Sequence, residues 1–469
     1  MQTMKYNNIF PSGDLYQRVI DNFHRLEREE YQPDQVYRPE PYDWPGDNEG
    51  RTILALVLAA QAGHSRPKYL EEILNRLPGW MNEQGYFGQI YPNGVTDEQQ
   101  LSSNSWFLRG LAEHYTWMKD ERSLNMLEQV VRNLLLPTKG RYDSYPLDPK
   151  DRVFEGEASG TLVGRQVKGW YLSTDIGCAF IMLDGATHAY ELLQWPELKE
   201  LIEEMISVFL GIDLIGISAQ THATLSATRG ILRFHGMNKN DKYLDAAKRI
   251  YKLYKEQGMT ENFANYNWFR RPQWTEPCAI VDSFLIAIQL WQLTGEAAYL
   301  EDAHNIYFNG IAHAQRENGG FGCDVCSGAE TPHLHSFLYE AYWCCTMRGA
   351  EGLAWAVKSS YYVSDDSIIT IPFYFDSTVR LQLPDGELLL KQSTTYPLRG
   401  QVMLDILHST ITEPKTIRLF VPSWAPADSV QLALNGQPQT AQMKDGFVDV
   451  VITSMQGEKV ELTFDIPLL

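Results

Sequence analysis

From Leu15 to about Lys358 apolar side chains recur at three- and four-residue spacing, and near Tyr361 that period gives way to two. A chain with this switch folds as a long series of amphipathic helices followed by a sheet domain, because each period buries one face of one kind of element. Segments 53–61, 101–117, 123–135, 174–193, 198–210, 223–234, 243–255, 278–293 and 299–312 carry the helical pattern. Gly and Asn signals such as His235-Gly236-Met237-Asn238 and Thr294-Gly295 close several of them. Polar helix-end phrases recur at Lys119-Asp120-Glu121, Asn240-Asp241-Lys242 and Gly295-Glu296-Ala297, each before a new helix. The reading is mainly α, with about ten to thirteen helices paired and curled into a toroid. Segments 368–375, 379–383, 388–390, 401–406 and 416–421 read as strands, separated by turns such as Pro384-Asp385-Gly386. These predict an antiparallel β-sandwich of about 110 residues. The expected domains are 1–360 and 361–469, sharing an extensive interface because no linker separates them.

At 469 residues the chain exceeds what one core normally serves. A net charge of -19 argues against nucleic acid or an anionic membrane as partner, since no basic patch easily outweighs it. No run reaches the roughly 20 apolar residues of a membrane span. The opening Met1-Gln2-Thr3-Met4-Lys5-Tyr6-Asn7-Asn8 lacks the pattern of a signal peptide. Six cysteines, few and clustered, suit reduced thiols in a cytoplasmic enzyme.

Four residues of metal-ligating type, Glu276, Cys278, Cys344 and Cys345, fall in two short phrases, Thr275-Glu276-Pro277-Cys278 and Tyr342-Trp343-Cys344-Cys345-Thr346. One carboxylate and three thiolates make a tetrahedral zinc set, and zinc holds a thiol deprotonated at neutral pH. A competing set takes Cys323 and Cys326, spaced as in a zinc knuckle, with Cys344 and Cys345; four thiolates would close a structural site. Cys178, within an apolar segment, reads as a packed side chain.

Several phrases in order resemble one family. They are Trp44-Pro45-Gly46-Asp47-Asn48-Glu49-Gly50-Arg51, Gln220-Thr221-His222-Ala223, Glu276-Pro277-Cys278-Ala279, Tyr307-Phe308-Asn309-Gly310, Cys344-Cys345 and Val421-Pro422-Ser423-Trp424-Ala425. Together they resemble the glycoside hydrolases related to bacterial β-L-arabinofuranosidases, family 127 and its relatives. The resemblance implies an (α/α)6 barrel followed by β-sandwich structure and a retaining exo-acting hydrolase of an oligosaccharide or glycoside. It implies Zn2+ held by Glu276, Cys278, Cys344 and Cys345, with Cys344 as nucleophile. Glu261, in Thr260-Glu261-Asn262-Phe263, resembles the acid/base position, and His222 a substrate-contacting histidine. Retaining chemistry would set carboxyl and thiolate about 5 Å apart or somewhat more across a sugar.

Aromatics Phe263, Tyr266 and Trp268 flank Glu261 and could desolvate it, raising its pKa for acid catalysis; the plain alternative is a solvated loop glutamate. Trp44 is a candidate substrate contact, whereas Asp47, Glu49 and Arg51 lean toward locking the first barrel helix. His333 and His335, near Glu340, are either substrate contacts or a wet loop. Two departures fall where a sugar would be gripped: Thr174-Asp175-Ile176-Gly177 lacks the family's histidine, and Thr346-Met347-Arg348-Gly349 stands where relatives place Pro and Asn. Rival readings are a lyase or sugar epimerase on the same barrel with structural zinc, and a glycan-binding barrel without turnover. The oligomeric state, homodimer included, stays open.

Overall fold

The computed structural model describes residues 2–38, 43–152, 160–326, 333–453 and 455–467. Among them twelve helices form six hairpins around one axis. They are α1 (Gly13–Arg25), α2 (Asp47–Ala62), α3 (Leu70–Arg76), α4 (Glu98–Met118), α5 (Glu121–Val130) and α6 (Met182–Leu193). Then follow α7 (Pro196–Phe209), α8 (Thr221–Asn238), α9 (Asp241–Gln257), α10 (Pro277–Thr294), α11 (Ala297–Asn305) and α12 (Cys345–Lys358). The even-numbered helices pack neighbour to neighbour and α12 returns to α2, which closes an (α/α)6 barrel. These inner helices are buried nearly all round, as a core helix must be. One of them, α10, is long and apolar enough to cross a membrane, but 78% of it is buried inside the barrel.

Glycine sets how closely the inner ring packs. A Cβ on Gly50 of α2 would lie 2.2 Å from the backbone nitrogen of Phe107 on α4. Gly185 and Gly230 play the same part, facing Ser105 and Leu183 backbone at 2.7 and 2.6 Å. The polar helix-end phrases prove to be the tight links from an inner helix to the next outer one. Lys119, Gln194, Lys239 and Gly295 adopt left-handed conformations, and Asp120 and Asn240 then cap the following helix. All long connections therefore lie at the opposite end of the barrel, where every inner helix presents its N-terminus.

The second domain is a sandwich that recruits the start of the chain. Its strands are β1 (Gln2–Thr3), β2 (Ile9–Pro11), then, beyond the barrel's small strands β3 (Thr96–Asp97), β4 (Leu162–Val167), β5 (Trp170–Ser173), β6 (Cys323–Val325) and β7 (His335–Leu338), β8 (Tyr362–Val363), β9 (Ile369–Ile371) and β10 (Ser377–Leu383). They continue with β11 (Gly386–Thr394), β12 (Gly400–Ser409), β13 (Lys415–Phe420), β14 (Gln431–Leu434), β15 (Gln437–Gln439), β16 (Met443–Lys444), β17 (Phe447–Ile452) and β18 (Lys459–Phe464). One sheet runs β1-β8-β9-β13-β17-β16, the other β15-β14-β18-β12-β11-β10-β2. The pairing is antiparallel except at β9–β13, which is parallel because β10 to β12 cross to the other sheet between them. Gln2 pairs opposite Val363 and Ile9 opposite Val379, so residues counted with the barrel by sequence extend both sheets. The domains share a continuous apolar core. At their junction His304 of α11 stacks on Phe373 at 4.6 Å and bonds Pro372 carbonyl and Tyr396 hydroxyl at 2.7 and 3.0 Å. Burial pushes this imidazole down to about 4, so it stays neutral in the interface.

Two helical expectations change. Segment 174–193 is helical only from Cys178 onward, first as a 3-10 turn and from Met182 as α6, because Gly177 takes φ +90° and breaks the run. Residues 345–358, placed in no helix by spacing, form the inner helix α12.

Candidate active site

The N-terminal ends of the inner helices surround a cavity of about 750 Å³. Glu276 stands at the N-cap position of α10, with Pro277 and Cys278 in its first turn. Asn265 fixes it by accepting from its backbone N–H at 2.7 Å. Cys344 and Cys345 begin α12. Two helix N-termini thus aim three thiols at each other: the ligand atoms of Cys278, Cys344 and Cys345 lie within 4.8 Å of one another. Cys344 and Cys345 sulfurs are 3.2 Å apart. A helix N-terminus favours a thiolate, through its dipole and free N–H groups.

A second group, His222, Glu276 and Cys278, also lies within 4.8 Å, and Cys278 belongs to both. Glu276 Oε2 and His222 Nε2 are buried without partners, the signature of groups that wait for a ligand. Burial drives the Glu276 carboxyl well up, and the nearby Cys278 adds to it. Burial likewise works against ionising Cys278, but hydrogen bonds from Cys344 and Cys345, with Arg51 and His222, outweigh it and hold this thiol well down. Cys344 and Cys345 are pushed up in consequence, the first chiefly by its bond to Cys278 and the second chiefly by burial. Ionising one of these clustered sulfurs thus works against ionising its neighbours. Ionising all three calls for a cation.

Arg51 is the positive group that reaches the thiols, and Arg38 lines the cavity with it. Asp47 holds it at 2.8 Å, it lies 3.8 Å over the Trp106 ring, and its Nη1 donates to Cys278 sulfur at 3.6 Å. Asp47 and Arg51 thus lock α2 and line the cavity at once. His222 stacks on the same Trp106 and shares its Nδ1 with Asp282 at 3.0 Å, which turns Nε2 toward the metal group. Below, Asp282 also accepts from Ser226 at 2.7 Å, Arg229 at 2.8 Å and Arg348. Arg109, Arg229 and Arg348 with Asp184, Asp282 and Glu351 form a charged axis, each at most 1% exposed. At the mouth Trp44 donates to Gly160 carbonyl at 2.7 Å, Trp274 stacks on Phe337, and Trp343 is 42% exposed.

The structure brings Trp44, His222, Glu276, Cys278, Cys344 and Cys345 to one site. It does not bring Glu261. That residue sits exposed in a turn closed by the Met259–Asn265 bridge and lies outside the residues lining the cavity. Asn265 is the member of this segment that meets Glu276. The four-cysteine set does not assemble either. Cys323 comes 3.9 Å from Cys345, but Cys326 points to Asn265 carbonyl at 3.7 Å and burial raises it to about 12. Cys178 is buried, as packing requires. His333 and His335 lie outside the lining residues. Spacing gave no reason to single out Asp282 or Trp274; Gln220 stood out only within the phrase that carries His222, and Asp175 only as part of a departure from the family.

Residues 210–357 match the family model described as the β-L-arabinofuranosidase GH127 catalytic domain, and residues 368–466 the GH127 middle domain. Together the two matches span more than half of the chain. It belongs to the GH127 family. As such it is a glycoside hydrolase, and its substrate is a glycan. This GH127 chain shares its fold with a GH127 β-arabinofuranosidase at TM-score 0.70 and 14% identity, over 99% of this chain and 80% of that one. A GH127 β-L-arabinofuranosidase from Geobacillus stearothermophilus T6 aligns at TM-score 0.69 and 14% identity, over 98% and 82%. A further structure titled glycoside hydrolase gives TM-score 0.71 and 15% identity, over 100% and 78%. No curated protein matches the GH127 chain.

Proposed function

We propose that this glycoside hydrolase is a retaining exo-enzyme that releases a terminal β-L-arabinofuranose or closely related sugar, with Cys344 as nucleophile. The observation that carries the reading is the meeting of three thiols at two helix N-termini on a cavity of small-molecule size. Glu276, Cys278, Cys344 and Cys345 would hold a zinc ion, with His222 beside it. The fit rests on soft donors grouped around an orphaned carboxylate oxygen and an orphaned ring nitrogen. When bound, zinc would keep the thiols ionised at neutral pH.

Cys344 is the partly exposed cysteine of the three and lines the cavity, whereas Cys278 and Cys345 are buried. It is the one able to reach an anomeric carbon. Its sulfur bonds to C1 as the glycosidic C–O bond breaks and the leaving oxygen takes a proton. Water then displaces the sulfur from the opposite direction, so the configuration is retained after two inversions. Trp44 and Trp343 supply aromatic faces for the sugar. His222 and Gln220 supply polar contacts for its hydroxyls.

A panel of 4-nitrophenyl furanosides and pyranosides, with metal analysis of the same sample, tests the reading. The expected result is one zinc per chain, turnover on the β-L-arabinofuranoside, and its loss in Cys344→Ser with zinc partly retained. Wild-type turnover by Cys344→Ser would refute the nucleophile, and unsaturated products absorbing in the ultraviolet would indicate a lyase.

A further inference from the structure

The proposed reaction needs a proton donor to the leaving oxygen, and exposed Glu261 lies outside the cavity. Among the described residues three carboxyl groups line it: Asp47, Asp175 and Glu276. Asp47 is tied to Arg51 at 2.8 Å, and Glu276 groups with Cys278 and His222 as a metal ligand. Asp175 belongs to neither arrangement. It sits in the loop before α6 that Gly177 opens, with its backbone N–H on Ser173 Oγ at 3.1 Å. Gly160 N–H and the Gln220 amide favour its anion, while Oδ1 is buried without a partner.

Resting on the thiol nucleophile proposed above, we infer that Asp175 is the general acid/base of this enzyme. In the first step its carboxyl proton passes to the glycosidic oxygen as Cys344 sulfur bonds to C1 and the C1–O bond breaks. In the second its carboxylate takes a proton from water as the water oxygen bonds to C1 and the S–C1 bond breaks. The residue ends as it began.

The surroundings suit an acid that is neutral when substrate arrives. Burial raises Asp175 to about 7 against the bonds from Gly160 and Gln220, and the Glu98 carboxylate adds a smaller push. Glu98 is itself paired with Arg152 at 2.8 Å. Among the described residues Glu276 and the Cys178 thiol also act on Asp175, and both are acidic, whereas Arg38, Arg51 and His222 line the same cavity.

Asp175→Asn and Glu261→Gln, each compared with wild type on methyl and 4-nitrophenyl β-L-arabinofuranoside, test the assignment. Asp175→Asn should lose about 100-fold or more on the methyl glycoside, which needs protonation, and far less in forming the enzyme adduct from the nitrophenyl one. The adduct on Cys344 should accumulate by mass spectrometry, azide should release it as the glycosyl azide, and zinc content should stay at the wild-type value. The alkaline limb of the wild-type pH profile, near pH 7, should vanish. Adduct formation and azide release also show that the variant is folded. Glu261→Gln should keep the wild-type dependence on leaving group. The assignment is overturned if Asp175→Asn stays within a few fold on the methyl glycoside, or if Glu261→Gln gives the leaving-group pattern instead. Failure of the nucleophile reading is a separate result, seen as Cys344→Ser turning over at the wild-type rate.

Discussion

Replacing Asp282 by asparagine changes one atom's chemistry and removes one charge from the barrel axis. Asp282 accepts from His222, Ser226, Arg229 and Arg348, and it is fully buried. Its ionised form is strongly favoured: burial opposes it, but Arg348, His222 and Arg229 overwhelm burial and hold the carboxyl far below the usual range. In wild type three central arginines face three carboxylates, and in the variant three face two. Arg348 is already pulled down to about 9 by burial and by Arg109 and Arg229, with Asp282 the main force opposing that fall. Removing one member of such a buried pair costs about 3 to 5 kcal/mol, because the partner's charge is left without compensation. Equilibrium urea unfolding at pH 7 should therefore place Asp282→Asn about 4 kcal/mol below wild type. Combined with Arg348→Gln, the loss should fall short of the sum of the single losses by about 2 kcal/mol, since the two groups share one interaction. A single-variant loss under about 1 kcal/mol, or strict additivity in the pair, would refute the account of the axis as a balanced charge cluster.

Cys278→Ala removes the sulfur common to both ligand groups, so zinc per chain should fall to background in metal analysis. Gly50→Ala pushes a methyl to 2.2 Å from Phe107 nitrogen, where only a helix shift relieves it; thermal or urea unfolding should show a loss of about 3 kcal/mol. Glu49 is raised from its ordinary 4.5 to about 8, chiefly by burial. The folded chain keeps a proton that the unfolded chain loses above pH 4.5, so wild type loses stability from there up to pH 8. Glu49→Gln has no such titration, and its unfolding free energy should exceed wild type by about 5 kcal/mol above pH 8, with the difference vanishing below pH 4.5.

The inner helices were legible because α4, α8 and α10 repeat apolar residues on more than one face, and the thiol site because cysteine is rare enough that two clusters stand out. α12 was not, since its small residues, Arg348 and Glu351 face an axis whose charges balance only after six helices close. Asp175 was hidden for a local reason. Ile176, Cys178 and Phe180 continue the apolar pattern of α6 backward, and only the left-handed Gly177 lifts Asp175 out of a helix and into the cavity. Glu261 was drawn to the site by a four-residue phrase, while the Met259–Asn265 bridge that turns it outward pairs backbones and leaves no mark in side-chain chemistry.

The strands at Gln2–Thr3 and Ile9–Pro11 complete sheets whose other members are translated some hundreds of residues later. A ribosome therefore releases them long before they have anything to pair with. Pairing with Tyr362–Val363 and Ser377–Leu383 ties that segment down, which makes the sheet domain the clasp for residues that precede the barrel. Trimming a dozen residues from the front of an expression clone would accordingly be felt at the far side of the molecule, as two frayed sheet borders rather than a missing tail.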